Sequence, residues 1–240
     1  MYYYGFDMTY VVLVLPCVLF AMIASYRVNS TFKKYSKQLS RRRLTGAQAA
    51  ERVLRSHGVT NVRIERVAGN LTDHYDPKAN VIRLSDGVYN DTSTAAIGVA
   101  CHEAGHAVQY AQSYAPIKLR AAIIPVTNIC SKLAMPLILV GLLINSLIAV
   151  SADVGYVFVY IGIACFGLSL VFQLITLPVE FNASGRAIRA IRDAELLTDE
   201  ELKGAKKTLS AAALTYVAAA AVSLAQLLRL ILIFARRRDD

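Results

Sequence analysis

The chain has 240 residues, of which 55% are hydrophobic and 18% charged, with a formal charge of +9 and a mean hydropathy of +0.43. Ordinary soluble domains carry about 25% charged residues, so this composition excludes a disordered chain and argues against a soluble globular one. The four cysteines, at 17, 101, 130 and 165, show no CxxC or finger-like spacing, which removes a disulfide framework and leaves buried thiols.

The first uncharged apolar run is Met8–Tyr26. It lacks a basic n-region and a small-residue cleavage site, so it reads as a retained span and not as a signal peptide. Between Arg27 and Arg66 stand 11 Lys/Arg and 2 Glu, a surplus equal to the net charge of the whole chain. A basic cluster directly after an apolar run marks the cytoplasmic face and is attracted to anionic lipid. Nucleic acid is not expected as a partner, since no recognised binding motif accompanies the charge. Thr45 with Gln48 forms a capping-box pattern before an amphipathic segment that ends near Gly58. Asn61–Val67 and Asn80–Leu84 have strand character, with turn chemistry in Asp76-Pro77-Lys78-Ala79-Asn80 between them. Thr92, Ser93 or Thr94 then caps a helix that runs through Cys101.

Three more uncharged runs follow, Leu133–Ala152, Val154–Val179 and Thr208–Leu228. A bilayer core takes about 20 apolar residues as helix, so all four runs are long enough to span it. Asp153 and Gly155 predict a tight hairpin between the second and third. Thr198 with Glu201 opens the helix that leads into the fourth. The fold expected is a mainly α integral membrane protein, with about four transmembrane helices and a small cytoplasmic α+β insertion. Its parts are an N-terminal transmembrane helix over 1–26, a cytoplasmic α+β region over 27–118, a transmembrane hairpin over 119–179, a cytoplasmic helical segment over 180–207, and a C-terminal transmembrane helix with a basic tail over 208–240.

The sequence His102-Glu103-Ala104-Gly105-His106 is an HExxH pattern. On a helix, residues four apart differ in direction by about 40°, so both imidazoles can reach one metal ion. Zinc suits imidazole, and Glu103 projects beside it, where a carboxylate can take the proton of an activated water. A catalytic zinc takes three protein ligands. His57 and His74 lie upstream of the motif; among later carboxylates Glu180 stands directly after the third apolar run, in Pro178-Val179-Glu180-Phe181-Asn182-Ala183-Ser184. A charge marking the membrane edge is its other reading. Glu195, Glu200 and Glu201 sit in a capping context and are poorer candidates. Ser184 shares the face of Glu180 and can hydrogen-bond a ligand, although simple helix packing explains it nearly as well.

Four stretches carry a resemblance: LTDHYDP (Leu71–Pro77), HEAGHAVQ (His102–Gln109), LPVEFNASGRA (Leu177–Ala187) and ALTYVAAAAV (Ala213–Val222). Over nearly its whole length the chain resembles the YugP-type family of bacterial membrane zinc metallopeptidases. The resemblance implies a multi-pass peptidase of the bacterial cytoplasmic membrane with one catalytic Zn2+, a zincin-like, gluzincin-like ligand set of His102, His106 and Glu180, and Glu103 as base. The layout is also similar to that of HtpX-type membrane proteases, which carry an acidic residue four positions after the glutamate. Ser184 stands there instead, so no Asp-to-His bond is carried over. Asp73-His74-Tyr75-Asp76 is by itself a polar loop or strand end. Its place in a family stretch makes His74 or Tyr75 a candidate donor to the developing oxyanion. Asn80–Leu84 is either an edge strand for an extended peptide or an ordinary paired strand.

The expected function is peptide-bond hydrolysis near the cytoplasmic membrane surface, on a peptide or membrane-protein substrate. The lipid bilayer is the expected surrounding, and a homo-oligomer or a partner membrane protein stays open. The alternative is a non-catalytic zinc-binding membrane scaffold or a regulator of a partner protease, for which an intact Glu103 would have no use. Orientation follows from Lys/Arg counts: Arg27–Arg120 holds 15 and Leu177–Ser210 holds 6, while none precedes the first run. Both polar segments then face the cytoplasm. The tail Arg236–Arg238 runs against this count, which leaves open whether the last helix crosses fully. Single cysteines near Lys37 and Lys203, in a background without native cysteines, should therefore resist an impermeant thiol reagent in intact cells; labelling of both from outside would reverse the orientation.

Overall fold

The computed structural model describes residues 2–3, 6–147 and 152–239. In chain order its elements are β1 (Tyr2–Tyr3), β2 (Phe6–Asp7), a π-helical turn (Tyr10–Val14), α1 (Leu15–Tyr35), α2 (Gly46–Ser56), β3 (Arg63–Val67), β4 (His74–Asp76), β5 (Val81–Ser85), α3 (Asp86–Tyr89), α4 (Thr94–Ala111), α5 (Ala115–Leu147), α6 (Ala152–Asp193) and α7 (Asp199–Asp239). The fold is mostly helical with a small sheet. Among the described residues four helical stretches are long and apolar enough to cross a membrane: Tyr10–Tyr35, Ala115–Ser146, Val154–Asp193 and Asp199–Phe234. Each is longer than the uncharged run that marks it in the sequence, because a helix continues through isolated Lys and Arg residues with long apolar stems. The second differs most, starting at Ala115 and not at Leu133. The hairpin turn expected next to Asp153 involves residues 148–151, which lie outside the described residues.

Two compact units form. One comprises Met1–Met22, Leu119–Thr176 and Tyr216–Asp240, the other Ile23–Lys118 and Leu177–Thr215. In the first, a small buried cluster joins Ile138, Val159, Leu230 and Phe234, while Leu139, Val157, Ile161 and Ile231 are exposed. Such an outward apolar surface suits lipid as the solvent, where helices satisfy their own backbone groups.

The second unit has the larger core. It gathers Val53 and Leu54 of α2, Ile82 and Leu84 of β5, Ile97 to Val108 along α4, and Ile191, Leu196, Leu202 and Leu209 from α6, α7 and their connection. Helix α4 is buried along most of its length because Ala and Gly dominate it. Ser93 caps it, its hydroxyl accepting the Ala96 N–H at 3.2 Å. Helix α2 starts on the expected Thr45/Gln48 capping box.

The sheet order is β3-β5-β4. Strand β3 pairs parallel with β5, Arg63 opposite Val81 through Val67 opposite Ser85, and β4 pairs antiparallel with β5. The Asp76–Asn80 turn lies between β3 and β5 in the chain, as expected, and connects β4 to its antiparallel partner β5. One expectation changes here. Asn80–Leu84 supplies most of the central strand, so it is not an edge that an extended peptide could join. The turn is held by Asp76, whose Oδ1 accepts the N–H groups of Lys78 and Ala79 at 2.9 and 3.2 Å. Asn80, at φ +52°, accepts the Tyr75 hydroxyl at 2.8 Å and donates to the Asn61 carbonyl at 3.0 Å.

Helix α7 opens with the Thr198/Glu201 box, and Glu201 has a second task. One carboxylate oxygen accepts the Thr198 N–H at 2.9 Å, the other the Arg41 N–H at 2.8 Å. The side chain is buried and ties the segment after α1 to the start of α7. Glu201→Ala should strand two backbone donors and cost about 2–3 kcal/mol in equilibrium unfolding in detergent. Glu200→Ala, which removes only an exposed pair with Lys203, should leave the transition close to the parent's.

Candidate metal centre

Three side chains from two helices of the second unit converge. His102 and His106 lie on α4 and Glu180 on α6, and one ligand atom from each falls within 4.8 Å of the others. Both Nε2 atoms face the same oxygen, Glu180 Oε2, at 3.3 Å from His102 and 3.5 Å from His106. The imidazoles stand edge to face, with ring centroids 4.7 Å apart. Glu180 is only 2% exposed.

Each imidazole is held from behind. Ser184 Oγ lies 3.1 Å from His102 Nδ1. Gln109 Oε1 accepts from His106 Nδ1 at 3.0 Å, while the Gln109 amide nitrogen donates to the Val179 carbonyl at 2.9 Å and to Asn182 Oδ1 at 3.0 Å. With its nitrogen committed to two acceptors, Gln109 can only accept from His106. In the neutral ring that places the proton on Nδ1 and leaves Nε2 a lone pair, whereas the charged ring would also carry a proton on Nε2, facing Glu180. Asn182 Oδ1 also accepts Arg186 Nε at 2.7 Å, and Arg186 donates onward to Gln112. Neither Gln109 nor Asn182 is marked for a role by residue type, although Gln109 stands three residues after His106 and hence on the same helix face.

The close approach of the two helices depends on Gly105. A Cβ there would stand 2.8 Å from the Ala183 carbonyl oxygen, so any side chain would push α6 away from the histidines. The middle of the HExxH pattern is thus fixed by packing as well as by chemistry.

These residues fit a zinc ion. Two imidazole nitrogens and one carboxylate oxygen form a common catalytic donor set. Tetrahedral bonds of about 2.0–2.1 Å put neighbouring donors about 3.3–3.4 Å apart, close to the two separations found. The local field also favours a cation. Burial opposes charge on His106, yet the hydrogen bond to Glu180 and the charges of Glu103 and Glu180 outweigh it, so its pKa lies above the ordinary imidazole value. Glu103 is itself buried. Cys101, beside His102, stands outside the convergent group, and burial pushes its thiol up.

His74 and Tyr75 lie outside this ligand group. His74 is exposed, with Nδ1 2.8 Å from the Thr72 carbonyl and Nε2 3.4 Å from Arg83. The Tyr75 hydroxyl is engaged by Asn80, and its ring packs on Tyr110 with centroids 5.6 Å apart. Asp73 accepts both the backbone N–H of Ser85, at 2.7 Å, and its hydroxyl. Asp76 pairs with Arg83 at 2.9 Å. The polar atoms of this stretch build the β4–β5 hairpin.

Comparison with known proteins finds that the family described as "Putative neutral zinc metallopeptidase" matches residues 10–235. The chain is 45% identical over 233 residues to the "Putative membrane protease YugP" of Bacillus subtilis (strain 168), covering 97% of this chain and all of that one. No solved structure matches it.

Replacing His102, His106 or Glu180 with Ala should each sharply lower the zinc content of purified protein. Glu195→Gln, which alters an exposed carboxylate paired with Arg42, should retain it. Full zinc in Glu180→Ala would mean that the third ligand is another residue.

Proposed function

We propose, for a chain that belongs to the "Putative neutral zinc metallopeptidase" family, a membrane-integral peptidase that hydrolyses peptide bonds with zinc held by His102, His106 and Glu180. The observation that carries this reading is the convergence of those three side chains, with Glu103 buried next to His102 and its charge felt by His106. The arrangement is zincin-like, with a glutamate as third ligand. A zinc ion bound there supplies Lewis acidity, polarising a peptide carbonyl and lowering the pKa of water. Glu103 accepts the proton of the attacking water on its carboxylate and passes it to the leaving amine nitrogen. Ser184 and Gln109 keep the imidazoles from turning, so both Nε2 atoms stay aimed at one point. His74 and Tyr75, engaged elsewhere, are given no step.

Four apolar helices support residence in a membrane. The Lys/Arg asymmetry supports a multi-pass orientation in the bacterial cytoplasmic membrane with the site on the cytoplasmic side. The substrate is then a peptide or a membrane protein that presents an extended segment there.

Glu103→Gln tests the mechanism against a zinc-binding scaffold. It keeps the size of the side chain and removes the base, so zinc content and stability in detergent should stay near the parent's. Cleavage of casein or a denatured membrane protein should fall by about 10²–10⁴-fold. Chelator-sensitive cleavage at the parent's rate in the variant would refute the role of Glu103. A parent that holds zinc and cleaves nothing in a broad peptide panel would favour the scaffold.

A further inference from the structure

Helices α6 and α7 both change character within the second unit. On α6 the apolar run ends at Val179 and is followed by Arg186, Arg189 and Arg192; on α7, Lys203, Lys206 and Lys207 precede the run that starts at Thr208. A groove of about 420 Å³ lies where both helices make this change, with Gly185, Ile188 and Arg189 of α6 and Lys206, Leu209 and Leu214 of α7 on its walls. Its lining contains two cations and no acidic residue. The guanidinium and ammonium belong to exposed residues, while Lys203 is taken up by Glu200 and Arg186 by Asn182 and Gln112. Gly185 keeps the groove open: a Cβ there would meet nothing nearer than Arg189 Nη1, at 3.8 Å.

We propose that this groove binds one anionic phospholipid, an acyl chain lying along Ile188, Leu209 and Leu214 and the phosphate held by Arg189 and Lys206. The groove combines the two features of such a lipid, because its lining is mainly apolar and includes two cations, Arg189 and Lys206, which are the α6 and α7 lining residues nearest in sequence to the α6–α7 connection. Basic pockets between membrane helices select anionic head groups by this complementarity. An apolar peptide side chain would fill the walls and leave both cations without a counter-charge. The size is within the range of small-molecule sites, about 300–1,000 Å³. Ser184, which lies against His102 Nδ1, also stands on the wall, so the bound lipid would border the metal centre. The inference rests on the membrane reading of α6 and α7 and is independent of the peptidase chemistry.

Native mass spectrometry of the full chain in detergent, with phosphatidylglycerol or phosphatidylcholine of the same acyl chains, tests it. The parent should retain one phosphatidylglycerol, with a preference of roughly 10- to 30-fold from two cations near the head group. Arg189→Gln combined with Lys206→Gln changes only exposed residues and should abolish the preference. Gly185→Leu keeps both cations but fills the groove, and should abolish retention. Equal retention of the two lipids by the parent, or an undiminished preference in the double variant, would overturn the proposal. Retention of an apolar peptide without any preference for anionic lipid would assign the groove to substrate, and would overturn it as well.

Discussion

A carboxylate buried against two imidazoles is the constraint that the second unit is arranged around. Moving the charge of Glu180 out of water costs several kcal/mol, and neutral imidazoles alone repay little of it. A divalent cation shared by the three side chains, as proposed, would balance the charge. Much of the surrounding sequence serves to keep them within reach of one another. Gly105 lets α6 lie against α4, Gln109 ties His106 to the backbone just before Glu180, and Ser184 backs His102. None of these groups need touch a substrate, yet loss of any one would let an Nε2 atom drift from the shared point.

The two units answer different solvents. In the first, the buried cluster is small and large aliphatic side chains face outward, an arrangement that water would penalise and hydrocarbon would not. In the second, buried Ala, Val and Leu close around α4 as in a soluble domain. Within the second unit Glu180 stands on α6, directly after the end of that helix's apolar run. A ligand placed this way is fixed by a helix rather than by a loop, which suits a site that must hold its geometry.

Local chemistry was legible in the sequence where neighbours along the chain decide the outcome. The HExxH pattern put two imidazoles on one helix face, and the pairs Thr45/Gln48 and Thr198/Glu201 marked helix starts that the structure has. The apolar runs marked the four long helices, but not their ends. Long-range pairing was not legible. Nothing near Asn80–Leu84 says that it lies between two partners, because strand order depends on residues far along the chain. The stretch Leu71–Pro77 looked like site chemistry because it carries His, Tyr and two Asp. Its polar atoms engage Ser85, Arg83 and Asn80 instead, partners that only the folded hairpin brings close. Gln109 is silent in the sequence for the opposite reason: an uncharged amide on a helix has no signal until its three partners are known.

The proposed centre holds one zinc ion between two imidazoles of α4 and one carboxylate of α6. Zinc-edge X-ray absorption on the purified full chain measures this most directly. The expected result is a shell of nitrogen and oxygen neighbours at about 2.0–2.2 Å, with the outer scattering of two imidazole rings and no sulfur. A sulfur neighbour at about 2.3 Å, or the outer scattering of a single imidazole, would contradict it.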